Sequence, residues 1–189
     1  MGFSEDMRRE CAEIWDTEHN HPLVTGIGDG SLDLEKFRFY MRQDYIYLID
    51  YCRVIALAAA KTQDVEDMGW FAKLLDETLN TEMSLHVSFC EDFGISETNC
   101  WRRPSPTTQA YTRHLLQIAF RGSIGEISSS ILPCMWGYSE SGRCCMTGAY
   151  RRTRRCMLAG SKCITRRSLR SLRRGFGDSG PHRRRLRRG

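Results

Sequence analysis

The chain has 189 residues, enough for one domain with a sizeable core, and its hydrophobic share of 41% and aromatic share of 10% are ordinary for a globular protein. Its net charge of +5 conceals a division: residues 1–140 hold 12 Lys and Arg against 22 Asp and Glu, net −10, whereas residues 141–189 hold 16 Lys and Arg against the single acid Asp178, net +15. No run approaches the roughly 18 apolar residues of a membrane helix and no leader pattern opens the chain, so a cytoplasmic location is expected. The nine cysteines include five scattered before residue 141, none in C-x-x-C spacing, which fits reduced thiols better than a disulfide framework. Cys144, Cys145, Cys156 and Cys163 match no zinc-knuckle spacing, and no metal is expected.

Phe3, Met7, Cys11, Ile14 and Trp15 recur at helical spacing and predict an N-terminal helix. "HNHPLVTGIGDGSLD" then breaks the period with Pro22 and its glycines and reads as a loop. Its "GIGDG" lacks the full G-x-G-x-x-G spacing and has no strand before it, so a nucleotide site is not favoured. From Asp33 a helix is predicted through "LEKFRFYMRQDYIYLIDYCRVIALAAAK", and another from about Val65 to Phe93, ended by Gly94. "SPTTQAY" opens the next after Pro106, and Ser123 with Glu126 forms an S-x-x-E capping box for the last. Strand-like alternation is absent, so the predicted class is all-α.

Polar groups interrupt these helical faces. Tyr40, Asp44, Tyr47 and Tyr51 lie at i, i+4, i+7 and i+11, framing a carboxylate with aromatic rings. That face suits a flat ligand, the carboxylate accepting from an exocyclic amine or protonated ring nitrogen; the plain alternative is a surface tyrosine stripe with a solvated Asp. On the next helix Phe71, Leu75, Leu79, Glu82, His86, Phe89 and Phe93 form one stripe, so Glu82 interrupts a core face. It reads as a structural partner of His86, as a residue supporting a site, or as a metal ligand, though "EMSLH" lacks the Glu-x-x-His spacing of ferritin-like iron sites. On the last helix Ile127, Ile131, Cys134 and Tyr138 share a face. Pro133 removes a backbone hydrogen bond from Ser129 and is expected to kink the helix ahead of Cys134, which is either a small hydrophobe or a nucleophile.

"HPLVTGIGDG", "FRFYMRQDYIYLIDYCRVIALAAAK", "SPTTQAYTRHLL" and "ILPCMWGYSE", in this order, resemble the TenA/thiaminase II family over about residues 7–140. The resemblance implies a haem-oxygenase-like multi-helical fold, a homotetramer and no cofactor. It implies a thiamin-salvage hydrolase that forms 4-amino-5-hydroxymethyl-2-methylpyrimidine from its aminomethyl analogue or from thiamin. By the same resemblance Cys134 matches the nucleophile and Asp44 the carboxylate that grips the pyrimidine. Tyr47, Tyr51, Tyr111 and Tyr138 match pocket tyrosines. A non-catalytic aminopyrimidine-binding protein, or a metal or redox oxidase on the same fold, is the alternative.

Family members continue past "GYSE" with further helices that carry another pocket tyrosine and a catalytic glutamate. Here "SGRCCMTGAYRRTRRC" follows. The division is therefore read as a helical domain, residues 1–140, incomplete at its end, and an Arg-rich tail, residues 141–189. Three readings of the tail are open: an out-of-frame translation, a basic extension that binds nucleic acid or another polyanion, and a compact substitute for the missing helices. Its few aromatics argue against the second and its scarcity of large apolar residues against the third. On this reading the chain as it stands is expected to have impaired activity.

Overall fold

The computed structural model describes residues 3–95 and 103–144, and the readings made of residues 145–189 lie outside the described residues. Helices α1 (Phe3–Glu10), α2 (Ala12–His19) and α3 (Pro22–Asp29) lead into the long α4 (Leu34–Lys61). Then come α5 (Val65–Glu77), a π-helical turn (Thr78–Glu82), α6 (Met83–Asp92), α7 (Pro106–Arg121) and α8 (Ile124–Cys144). The class is all-α, and α8 runs four residues beyond Glu140.

The starts of these helices follow from their capping residues. Asp33 accepts from the backbone N–H groups of Glu35 and Lys36, and Asp64 from those of Glu66 and Asp67. Ser105 caps α7 through Thr108 N–H with Pro106 in the first turn. Ser123 and Glu126 form the reciprocal capping box at the head of α8, Glu126 Oε2 accepting from Ser123 N–H at 2.7 Å.

The expected loop at "HPLVTGIGDG" is instead helix α3. His21 Nδ1 accepts from Leu23 N–H, Pro22 fits the first turn, and the stop comes at Gly30, whose φ of 83° supplies the left-handed C-cap. Gly26, which read as a breaker, serves packing: a Cβ there would stand 3.2 Å from Leu32 Cβ.

A second correction concerns the α5–α6 stripe. Leu79, assigned to the buried face, is 45% exposed, while Thr78, His86 and Cys90 are buried. The π-helical turn is the cause. From Phe71, Leu74 and Thr78 the regular period would continue the buried face near positions 81–82, 85 and 89, and the wider turn holds one extra residue, so the face resumes at His86 and Cys90. Thr78 stays satisfied inside it by donating its hydroxyl to Leu74 O at 2.8 Å.

Helix α4, about 42 Å long by its residue count, is the axis of the fold, with α5, α6, α7 and α8 packed around it. Its C-terminal half joins α5, α7 and α8 in the larger apolar cluster, which includes Val54, Ile55, Phe71, Leu115, Ile131 and Met135. Its N-terminal half joins α3 and α6 through Ile27, Phe37, Met41, Tyr45 and Cys90. Ile131 is fully buried. Ile131→Ala is expected to cost about 2–5 kcal/mol in urea or thermal unfolding; a loss under about 1 kcal/mol would mean that α8 is not seated in this core.

The N-terminal helices are held to α8 by a polar clamp. Glu140 accepts from Trp136 Nε1 at 2.8 Å and from Arg8 Nη2 at 3.4 Å, with His19 Nε2 at 3.6 Å. The Arg8 guanidinium also lies 4.7 Å from the Trp15 ring centre. Among the described residues no helix is long and apolar enough to cross a membrane.

Candidate active site

A cavity of about 400 Å³ opens between α4, the first turns of α7 and the middle of α8. Helix α4 contributes Tyr40, Gln43, Asp44 and Tyr47; α7 contributes Thr107, Thr108 and Tyr111; α8 contributes Pro133, Cys134 and Tyr138; Glu18 of α2 reaches in beside them. Gly137 leaves room for that approach, since a Cβ there would stand 2.8 Å from Glu18 Oε1. The helical period of α4 brings Tyr40, Asp44 and Tyr47 to one wall. Gln43 Oε1 accepts from Ser105 N–H at 2.8 Å and ties that wall to the head of α7.

The partly buried thiol of Cys134 receives a hydrogen bond from the Tyr47 hydroxyl at 3.0 Å. Burial pushes this thiol up to about 12; Tyr47 works against the shift, and the charges of Asp44, Glu82 and Glu18 add to it. A free thiol ionises near 8.5, so Cys134 rests as S–H at neutral pH. The same burial holds the phenols of Tyr47, Tyr51, Tyr111 and Tyr138 above their ordinary range, and all four remain O–H groups.

Asp44 has a hydrogen bond on one oxygen and a longer contact on the other. Oδ1 accepts from the Tyr138 hydroxyl at 3.0 Å. Tyr138 has then used its hydrogen, so at 2.9 Å the Tyr40 hydroxyl donates to it. Oδ2 lies 3.7 Å from Nδ1 of His86, a buried ring whose Nε2 is 2.8 Å from the Met41 carbonyl. Burial raises the Asp44 carboxyl, and the charge of His86, then Tyr138, then Tyr40 oppose it.

The aromatic wall is a stack of three tyrosines. The Tyr111 ring is parallel to Tyr47 within 6° at 5.6 Å, and Tyr47 lies 5.6 Å from Tyr51 at 23°. Tyr111 is 40% exposed at the mouth. Tyr51 stands one ring behind the cavity wall, buried, and its hydroxyl has no hydrogen-bond partner among the described residues.

Glu82 does not line the cavity. At the end of the π-helical turn, its carboxyl is pushed up to about 7, first by burial and then by the charge of Asp44. Among the described residues no hydrogen bond or ion pair joins it to His86, which turns to Asp44 and Met41 instead. An acid whose folded value is raised adds stability below its ordinary value of 4.5 and loses it as pH rises toward 7. Glu82→Gln is therefore expected to raise the melting temperature relative to the parent at pH 8, with the advantage vanishing near pH 4.5. An equal effect at both pH values would show that Glu82 ionises freely.

Of the residues singled out from sequence, Asp44, Tyr47, Tyr111, Cys134 and Tyr138 line one cavity, while Tyr51 and Glu82 lie behind it. The sequence reading gave no site role to Gln43 or Glu18, weighed His86 only as one of a pair with Glu82, and gave Tyr40 none beyond its place on the stripe. Tyr40 and Gln43 could have been found as neighbours of Asp44 on the α4 face. His86 carries no local signal toward Asp44, because its place depends on how α6 packs across α4. Among the described residues no group of three or more His, Cys, Asp or Glu side chains is positioned to hold a metal ion.

Comparison with known proteins adds a second line of observation. A family model described as the TENA/THI-4/PQQC family matches residues 8–153. An aminopyrimidine aminohydrolase of Halalkalibacterium halodurans is 46% identical over 143 residues, covering 75% of this chain and 64% of the relative. One from Bacillus subtilis is 39% identical over 143 residues, covering 75% and 61%. The chain thus spans less than two thirds of the length of these relatives. The solved structure of a TenA homologue protein from P. horikoshii superposes with a TM-score of 0.85 at 25% identity, covering 96% of this chain and 87% of that one.

Proposed function

Because this chain belongs to the TENA/THI-4/PQQC family, whose pattern spans residues 8–153 of its 189, we propose that it is a thiamin-salvage hydrolase, an aminopyrimidine aminohydrolase of the thiaminase II type. It converts 4-amino-5-aminomethyl-2-methylpyrimidine, or thiamin, to 4-amino-5-hydroxymethyl-2-methylpyrimidine, and needs no cofactor. The observation that carries the reading is the Cys134 thiol and the Asp44 carboxylate on the walls of one aromatic cavity of about 400 Å³, a size suited to a single substituted ring. In this reading residues 1–140 belong to a helical unit that is incomplete at its end and whose last helix runs on to Cys144, a basic tail follows it, and the enzyme is a cytoplasmic homotetramer.

Asp44 accepts hydrogen bonds from the exocyclic amine and the protonated ring nitrogen, while the ring stacks against the tyrosine wall. Cys134 Sγ adds to a carbon of the electron-poor ring as its proton passes to the side-chain amine. The electron pair displaced through the ring expels that amine from the methylene, and it departs as ammonia carrying the proton. Water then adds its oxygen to the methylene, the C–S bond breaks, and the proton released by the water regenerates the thiol. A thiol pushed up to about 12 requires that its ionisation accompany the addition, with the Tyr47 hydroxyl stabilising the developing sulfur charge.

Purified full-length chain incubated with the aminomethyl pyrimidine should release ammonium and the hydroxymethyl product in equal amounts, more slowly than a relative that carries the family's terminal helices and glutamate, and with thiamin it should release the thiazole. Binding of these compounds without turnover would replace the enzyme reading by a binding protein. Absence of both binding and turnover would overturn the substrate class as well.

A further inference from the structure

His86 lines no part of the cavity and lies 6% exposed, yet it faces the carboxylate on which the proposed recognition of aminopyrimidines rests. A main-chain carbonyl only accepts, so the contact at 2.8 Å to Met41 O fixes the hydrogen on Nε2. Any further proton must then go to Nδ1, the nitrogen that faces Asp44 Oδ2 at 3.7 Å. With that proton the ring presents an N–H and a positive charge to the carboxylate; without it, a lone pair opposes a negative oxygen.

We infer that His86 is a positioning residue for the aminopyrimidine site, anchored by Met41 so that its charged form keeps Asp44 ionised and correctly oriented from behind the cavity wall. Of the groups around this pair, α4 supplies Tyr40 and the Tyr45 ring at 6.0 Å from His86, α8 supplies Tyr138 and Cys134, and the π-helical turn supplies Glu82. Glu82 is the only carboxyl among these neighbours, and its own ionisation is opposed by the charge of Asp44, while burial is what opposes ionisation of Asp44. His86 is the group of opposite sign, so its charge has a task that the tyrosine hydroxyls, as neutral donors, cannot fully perform.

The test uses the full chain and two variants. His86→Gln retains a donor for Met41 O while removing the titratable nitrogen; Asp44→Asn identifies the Asp44 signal. In ¹³C-aspartate NMR of ligand-free protein, the Asp44 midpoint should move upward in His86→Gln by about one pH unit or more. The acidic limb of kcat/KM for ammonium release should move the same way, with KM rising more than kcat falls. An unmoved Asp44 midpoint in a folded His86→Gln protein overturns the inference. If the parent binds no aminopyrimidine, the proposed function fails, but the carboxyl titration still decides the role of His86. Should His86→Gln not fold, the ¹⁵N signals of the parent ring decide: an Nδ1 resonance identical in the parent and in Asp44→Asn overturns the inference, and one that changes supports it.

Discussion

Cys134→Ala is expected to lower ammonium release from the aminomethyl pyrimidine by at least about a thousandfold, the scale on which removal of a covalent nucleophile acts. The loss should fall on kcat, with ligand binding changed by no more than about threefold, since the groups that recognise the ring sit on α4 and α7. Stability should change little. The thiol is only partly buried and makes one hydrogen bond, from Tyr47, whose hydroxyl lies at the cavity and can turn to water after the substitution. Cys134→Ser should fall nearly as far, because an alcohol is a much weaker nucleophile in the same position. The assays are steady-state ammonium release, product binding by calorimetry and a thermal melt. More than about a tenth of the parent rate in either variant, against the expected thousandfold loss, would remove Cys134 from the chemistry.

Asp44→Asn is expected to lower kcat/KM by about a hundredfold or more, for two reasons that act together. The amide turns one of two acceptor oxygens into a donor, so it opposes an amidine edge made of donors, and it removes the charge that favours a protonated ring. The same substitution should leave the melting temperature at pH 7 unchanged or raised. The folded protein holds this carboxyl above its ordinary value, chiefly through burial; its ionisation is therefore opposed by folding, and stability falls as pH rises from the unfolded toward the folded value. A neutral isostere escapes that cost. Activity lost with stability kept is the signature of a group retained for function. Parallel loss of both would reassign Asp44 to the framework.

Much of this organisation can be read along the chain, because capping and periodicity are local. Ser123 with Glu126 announces the start of α8 and is found as the capping box, Asp33 opens α4 where expected, and Asp64 and Ser105 cap α5 and α7 by the same local rule. The i, i+4, i+7 pattern likewise brings Tyr40, Asp44 and Tyr47 to one wall. Two features stayed hidden for a physical reason. Helix α3 carries residues of poor helical propensity, and the residues that bound it, Pro22 in the first turn and Gly30 at the C-cap, are the same types that bound a loop. The approach of His86 to Asp44 is a tertiary contact between residues 42 positions apart, set by the crossing of two helices.

The π-helical turn at Thr78–Glu82 stores one residue more than an α-helical turn needs, and the site depends on that surplus being wound into the turn. Along a regular helix each residue advances the side-chain direction by about 100°, and a turn closed i→i+5 takes five residues through about the rotation of four. Were the rod to straighten into uniform α-helix with every residue kept, each group beyond the turn would be carried round by about 100°. His86 would then swing away from Asp44, and Cys90 out of the cluster it shares with Phe37 and Met41, while the upstream contacts of Phe71 and Leu74 stayed intact. Loss of one residue among positions 79–81 would instead let the rod become uniform helix with those headings kept.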